Sequence, residues 1–212
     1  DVAPSRGLGD VYKRQEYLLF LNNDVEIITE NWLEEMLQLC QQKDVGMAGA
    51  KLYYPDDTIQ HAGVVVGLGG VAAHVLCKLP RDAEGYMGRL RCVQEISAVT
   101  AACMMVKTSV FKAVGGFDEE LKVAFNDIDL CMKVRKYGVK IVFTPYAELY
   151  HYESKSRGME DTPEKQLRFS REVNCFRRKW ERELLKGDPY YNPNLTLNNT
   201  DCSLRKQEKN GD

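Results

Sequence analysis

Three short polar clusters carry residue types that can do chemistry, and each adjoins an apolar run. The first is Asn22-Asn23-Asp24, directly after Tyr17-Leu18-Leu19-Phe20-Leu21. In open α/β sheets, ligands collect beyond the carboxyl ends of the strands. A carboxylate placed there can hold a divalent cation that in turn holds a phosphate. The same residues also suit an Asx turn leaving a strand. The second cluster is Phe125-Asn126-Asp127-Ile128-Asp129. An aspartate at a helix start in a concave site can act as a general base toward a hydroxyl, although this composition equally suits helix capping. The third is Tyr150-His151-Tyr152-Glu153-Ser154-Lys155-Ser156-Arg157-Gly158. A neutral imidazole at His151 can complete a metal site, and the Ser, Lys and Arg after it can meet phosphate. A satisfied histidine at a strand end is the alternative. His61 and His74 flank a Gly- and Val-rich stretch and are weaker candidates. No H-E-x-x-H, Walker loop or Ser-His-Asp order is present.

The elements that must position these clusters alternate in type. Residues 17–21 read as a strand buried on both faces. Residues 31–42 read as an amphipathic helix with Trp32, Leu33, Met36, Leu37 and Cys40 on one face and Glu34 and Glu35 in its first turn. A strand over 45–52 leads into the turn Tyr54-Pro55-Asp56-Asp57, and 63–75 reads as a hairpin or irregular excursion. A buried strand is expected over 97–106, then a helix from Thr108 stopped by Gly115-Gly116. A helix over 126–137 is ended by Gly138, and a strand over 139–143 is closed by Pro145. Residues 163–186 read as one long helix with Phe169, Val173, Phe176, Trp180 and Leu184 in a stripe and Pro163 at its start. Strands alternating with helices imply α/β layering. Residues 1–15 show neither period and are expected to be a non-native or disordered leader, with the domain over 16–186 and a coil tail over 187–212. A buried parallel strand needs neighbours on each side, so the first part of the domain is expected to be missing.

Composition narrows the class. Lys and Arg total 29 against 31 Asp and Glu, a net charge of −2, which argues against a dedicated nucleic-acid binder. No window approaches eighteen consecutive apolar residues, so no membrane span is expected. The seven cysteines form no C-x-x-C pair and several sit in apolar runs, as expected for free thiols in a reducing cytoplasm.

The order of the pieces is more specific than any one of them. The N-N-D cluster is followed by T-A-A-C-M-M-V, G-G-F-D-E, F-N-D-I-D-L-C-M-K-V-R-K-Y-G and H-Y-E-S-K-S-R-G, and this resembles the family 2 glycosyltransferases of the GT-A fold. The run Leu52-Tyr53-Tyr54-Pro55-Asp56-Asp57-Thr58-Ile59-Gln60-His61-Ala62-Gly63 is similar to the rhamnosyltransferase-like branch. The resemblance implies a Rossmann-like nucleotide-diphospho-sugar transferase fold, a mixed sheet flanked by helices, with its first nucleotide-binding half absent here. It implies that Asn22, Asn23 and Asp24 match the D-x-D donor motif, with Asp24 a ligand of Mg²⁺ or Mn²⁺. Asp127 then matches the catalytic base and His151 a histidine that joins the metal shell. Gly116, Phe117, Asp118 and Asn126 fall at the acceptor pocket. Asn22 stands where the motif's first acid would be, Asn126 where Glu is common, and Ala102 where a glycine is usual.

The implied reaction moves a sugar, with inversion, from a nucleotide-diphospho-sugar donor to a hydroxyl of a glycan or lipid-linked acceptor, in bacterial surface polysaccharide synthesis. A metal-dependent nucleotidyltransferase or phosphohydrolase, or a non-catalytic sugar-binding remnant, would use similar residues. Eight Lys and Arg residues lie opposite the apolar stripe of 163–186, a face that either rests on an anionic membrane or is solvated.

Overall fold

The computed structural model describes residues 15–152 and 162–206. Residues 1–14 of the leader expected over 1–15, and the residues Glu153 to Gly158 of the third cluster, lie outside them.

Strand β1 (Tyr17–Leu21) turns into β2 (Val25–Ile27), and helix α1 (Trp32–Cys40) leads to β3 (Val45–Tyr53). Next come β4 (Ile59–His61) and the hairpin of β5 (Val64–Val66) and β6 (Ala72–His74). Short β7 (Gln94–Glu95) precedes β8 (Cys103–Lys107), α2 (Thr108–Ala113), α3 (Asn126–Tyr137) and β9 (Lys140–His151). Helices α4 (Pro163–Lys179) and α5 (Glu181–Lys186) follow. The seven-stranded sheet runs β1-β8-β3-β9-β2, with β4 on β3 and β7 on β9. Among the described residues only β3 and β9 pair parallel.

All nine residues of β3 are buried because both of its faces are covered. On one face α1 lays Trp32, Met36, Leu39 and Cys40 over Ala48, Ala50 and Leu52. On the other, Met47 and Tyr53 join Met104, Leu130, Phe143, Phe176 and Trp180. Gly49 is required by that closeness, since a Cβ there would lie 2.3 Å from Val99 Cγ1. Burial of such surface is the main source of stability. It also pushes the Cys40 and Cys103 thiols up to about 12, and all seven cysteines are free.

Several expectations change. Strand β1 is not buried on both faces; among the described residues it is a sheet edge, antiparallel to β8, with Leu19 and Leu21 exposed. Helix α1 exposes Leu33 and buries Leu39 in its place. Residues 97–102 are not strand, because the chain turns there before β8 begins. Pro145 does not close β9. The register jumps from Gly49↔Phe143 to Lys51↔Glu148, so residues 144–147 bulge opposite Ala50, where a proline removes no ladder bond. The helix expected over 163–186 breaks at Trp180, with φ −114° and ψ 21°, where the indole reaches into the core to donate to Asp129 Oδ1 at 2.8 Å.

From Gly187 onward the described chain is coil, yet Tyr191, Leu195 and Cys202 are buried in the main core. Asp188 Oδ2 accepts from Val66 N–H at 2.8 Å, and Thr200 O accepts from Leu76 N–H at 2.6 Å. Among the described residues no helix is long and apolar enough to cross a membrane.

Candidate active site

The tight link from β1 to β2 places Asn22, Asn23 and Asp24 at one corner of the sheet. Pairing of β2 with the end of β9 sets Val25 opposite His151, and Tyr152 N–H donates to Asp24 O at 2.8 Å. His151 Nε2 thus lies 3.0 Å from Asn22 Nδ2 and 3.3 Å from Asp24 Oδ1. Asn23 is exposed in the turn. Two side chains distant in sequence, Asp24 and His151, thus lie side by side.

Gln60 of β4 sets the imidazole. Its Nε2 donates to His151 O at 3.1 Å, which leaves Oε1 to accept from His151 Nδ1–H at 2.7 Å. Nε2 therefore carries the lone pair, accepts from the Asn22 amide, and faces the Asp24 carboxylate. A carboxylate oxygen and an imidazole nitrogen 3.3 Å apart are a donor set that a divalent cation fits once it displaces the Asn22 amide from the Nε2 lone pair, and a second-sphere partner such as Gln60 is what usually fixes a ligating imidazole. Imidazole ligation favours a transition ion over Mg²⁺. Among the described residues no group of three His, Cys, Asp or Glu gathers around a metal position, so Asp24 and His151 would supply two ligands.

The second corner is the start of α3. Phe125 takes a left-handed φ of 62° and turns the chain into the helix. Asp127 Oδ2 accepts from Ala101 N–H at 3.1 Å and Oδ1 from Ile128 N–H at 2.8 Å, while Asn126 Oδ1 accepts from Asp127 N–H at 2.7 Å. Capping and positioning coexist here, since each carboxylate oxygen keeps a further lone pair. The two corners meet through adjacent residues: Ala101 holds Asp127, and Ala102 O accepts from Asn22 N–H at 3.0 Å.

Gly116, Phe117 and Asp118 form the turn after α2. The Phe117 ring packs edge-on against Phe20 with centroids 5.0 Å apart, and Gly116 O accepts from Lys133 Nζ at 3.0 Å. Asp118 is ion-paired with Lys179 and accepts from Glu120 N–H at 3.0 Å. Those two bonds, the Lys179 bond foremost, hold its carboxyl below the usual range.

Three residues given no role beforehand hold this arrangement. Gln60 orients His151. Asp129 is fully buried and takes Trp180 Nε1, Lys179 Nζ at 2.7 Å and Lys133 Nζ at 3.0 Å. Glu172 of α4 is 4% exposed and accepts three backbone N–H groups. A signal existed for Glu172: it sits between Phe169, Val173 and Phe176 on the apolar face. His61 and His74 form their own pair, Nδ1 to Nδ1 at 2.8 Å.

A cavity of about 940 Å³ lies apart from these corners, lined by Lys51, Arg81, Tyr146 and Glu148 among others. Glu148 and His151 are an odd number of residues apart on β9 and so face opposite sides of the sheet. Arg81 is paired with Asp57 and Glu148 at 3.5 and 3.4 Å, so the cavity is not the site of the converging donors.

The sequence profile described as "Glycosyltransferase like family" matches residues 9–172. The chain is 55% identical over 204 residues to the protein y4gI of Sinorhizobium fredii, covering 96% of this chain and 22% of that protein. It is 40% identical over 198 residues to the O-antigen biosynthesis protein RfbC of Myxococcus xanthus, covering 93% and 15%. The chain thus spans about a fifth or less of the length of these relatives. The structure of GalNAc-T7 with UDP, GalNAc and Mn²⁺ aligns with a TM-score of 0.56 at 14% identity, covering 85% of this chain and 35% of that one. At that identity the likeness shows the fold, which is GT-A.

Proposed function

The chain belongs to the glycosyltransferase-like family, and from that premise we propose a family 2, inverting, divalent-metal-dependent sugar transfer. The donor is a nucleotide-diphospho-sugar and the acceptor a hydroxyl of a glycan or lipid-linked saccharide, in bacterial surface polysaccharide synthesis. One observation carries the reading. The Asp24–His151 corner and the Asp127 carboxylate are tied to consecutive residues, Ala102 and Ala101. That spacing suits a metal-held leaving group on one side and a base on the other. The O-antigen role in the name of RfbC and the UDP and Mn²⁺ bound to GalNAc-T7 are consistent with it.

In this reading Asp127 takes the proton of the acceptor hydroxyl as its oxygen attacks the anomeric carbon, and a single displacement inverts that carbon. The Ala101 and Ile128 amides orient the carboxylate and leave lone pairs for that proton. Asp24 and His151 would hold Mg²⁺ or Mn²⁺, with Asn22 and Asn23 on the donor side. When bound, the ion supplies charge neutralisation for the departing nucleoside diphosphate. Gly116, Phe117, Asp118 and Asn126 lie on the acceptor side. The domain is taken as 16–186, with the coil from Gly187 packed into its core through Tyr191, Leu195 and Cys202.

The test is calorimetric titration of Mn²⁺ with UDP, then dTDP, alongside Asp24→Ala, with products identified in parallel. Metal-dependent nucleotide binding lost in Asp24→Ala, and release of nucleoside diphosphate, support the reading. Binding indifferent to Asp24 would remove that residue from the metal site, and release of nucleoside monophosphate or inorganic phosphate in place of nucleoside diphosphate would replace the reading with the nucleotidyltransferase or phosphohydrolase class.

A further inference from the structure

Three consecutive amides of the irregular segment before α3 end on one carboxylate. Lys122 and Val123 donate to Glu172 Oε1 at 3.1 and 3.2 Å, and Ala124 donates to Oε2 at 2.8 Å. Glu172 belongs to α4, far away in sequence, and is almost wholly buried. The next residue, Phe125, has a left-handed φ of 62°, a conformation that costs a non-glycine residue energy and persists only when its surroundings impose it. Those surroundings are again α4: the Phe125 ring packs on Phe169 and Phe176, with centroids 5.8 and 5.4 Å apart. Asp127 follows two residues later. From the other side, Lys179 and Trp180 grip Asp129. Helix α4 and its end therefore clamp the chain immediately before and immediately after Asp127.

We infer that Glu172 is a positioning residue for Asp127, holding residues 122–124 so that the Asp127 carboxylate meets the Ala101 amide. The inference rests on Asp127 being the base. A carboxylate is needed because both of its oxygens must accept. In a glutamine one of the two positions becomes an N–H donor facing an amide donor. Buried donors left without an acceptor are costly, so the segment would move to find water. Misplacement of about 1 Å by a remote change can cost on the order of 10²-fold in rate.

The decisive measurement is amide hydrogen exchange in Glu172→Gln, read at Ala101, which Glu172 does not touch. Asp127→Ala gives the value for a released Ala101 amide. Protection at Ala101 should fall at least tenfold toward that value, while Met104, Met105 and Val106 of β8 keep theirs. Ala101 protection held within twofold while residues 122–124 exchange freely would reduce Glu172 to a local structural role and overturn the inference. If Glu172→Gln does not fold, Glu172→Asp keeps the charge, shortens the reach by one methylene, and is read the same way. Turnover surviving in Asp127→Asn would remove the base reading alone. The Ala101 result separates that failure from this one.

Discussion

The Asn22 side-chain amide donates to His151 Nε2 at 3.0 Å, so the residue standing where an acid is expected holds the imidazole by its lone pair. An aspartate at this position would present oxygen to that lone pair and add charge beside Asp24. Asn22→Asp is therefore expected to tighten Mn²⁺ binding about tenfold, since each added carboxylate strengthens a hard-cation site. Calorimetry with Mn²⁺ alone checks this, and unchanged or weaker binding would place the ion elsewhere.

Gln60 fixes which His151 nitrogen carries the proton, through bonds of 2.7 and 3.1 Å. Gln60→Leu should cost 10- to 100-fold in Mn²⁺ affinity, the usual effect of losing a ligand's outer partner. The native fold should survive, as read by circular dichroism. Affinity within twofold of wild type would show that His151 needs no such support.

Asp127→Asn should lower turnover on the order of 10²- to 10⁴-fold, the range for a positioned acid–base group. Binding of metal and nucleotide should be spared, because Asp127 contacts neither Asp24 nor His151. Steady-state kinetics beside a binding isotherm decides it; loss of both together would point to collapse of the 100–102 turn instead.

His61 is fully buried, and that burial first, then His74 and His151, hold its imidazole well below its ordinary 6.5. With the folded value lower than the unfolded one, the unfolded chain takes up the proton first. Stability is therefore full above about pH 6.5 and lost as pH falls toward the folded value. Urea midpoints of the metal-free protein should drop between pH 7 and 5.5, and His61→Asn should flatten that slope. Asp118 acts only near or below its ordinary 3.8, outside this window. A slope identical in the variant would assign the effect to another group.

Trp180 donates to the buried Asp129 carboxylate at 2.8 Å where the long helix breaks. Trp180→Phe keeps most of the apolar contact and removes that bond, so about 2 kcal/mol of stability should be lost, typical of a hydrogen bond to a charged group. Equilibrium urea unfolding measures it. A loss under 0.5 kcal/mol, set against the same principle, would mean Lys179 and Lys133 satisfy Asp129 unaided.

Local signals in the sequence determined a good deal of this protein. Helix α3 begins at Asn126 and ends before Gly138, which caps it with a φ of 96°, because helical periodicity and a left-handed glycine are properties of neighbouring residues. The strand β3 and the polar clusters at Asn22–Asp24 and Asp127 were legible for the same reason, as runs and their interruptions, whereas the full burial of β3 was not. Other features depend on partners that no local window contains. Pro145 lies inside β9 because a bulge opposite Ala50 absorbs it. Trp180 breaks a helix whose apolar stripe runs straight through it, because Asp129 draws the indole inward. Gln60 and Glu172 look like ordinary strand and helix polars until His151 and residues 122–124 arrive from far away. Tertiary structure alone decided which hydrogen-bonding groups are buried together, and burial is what turns an optional bond into an obligatory one.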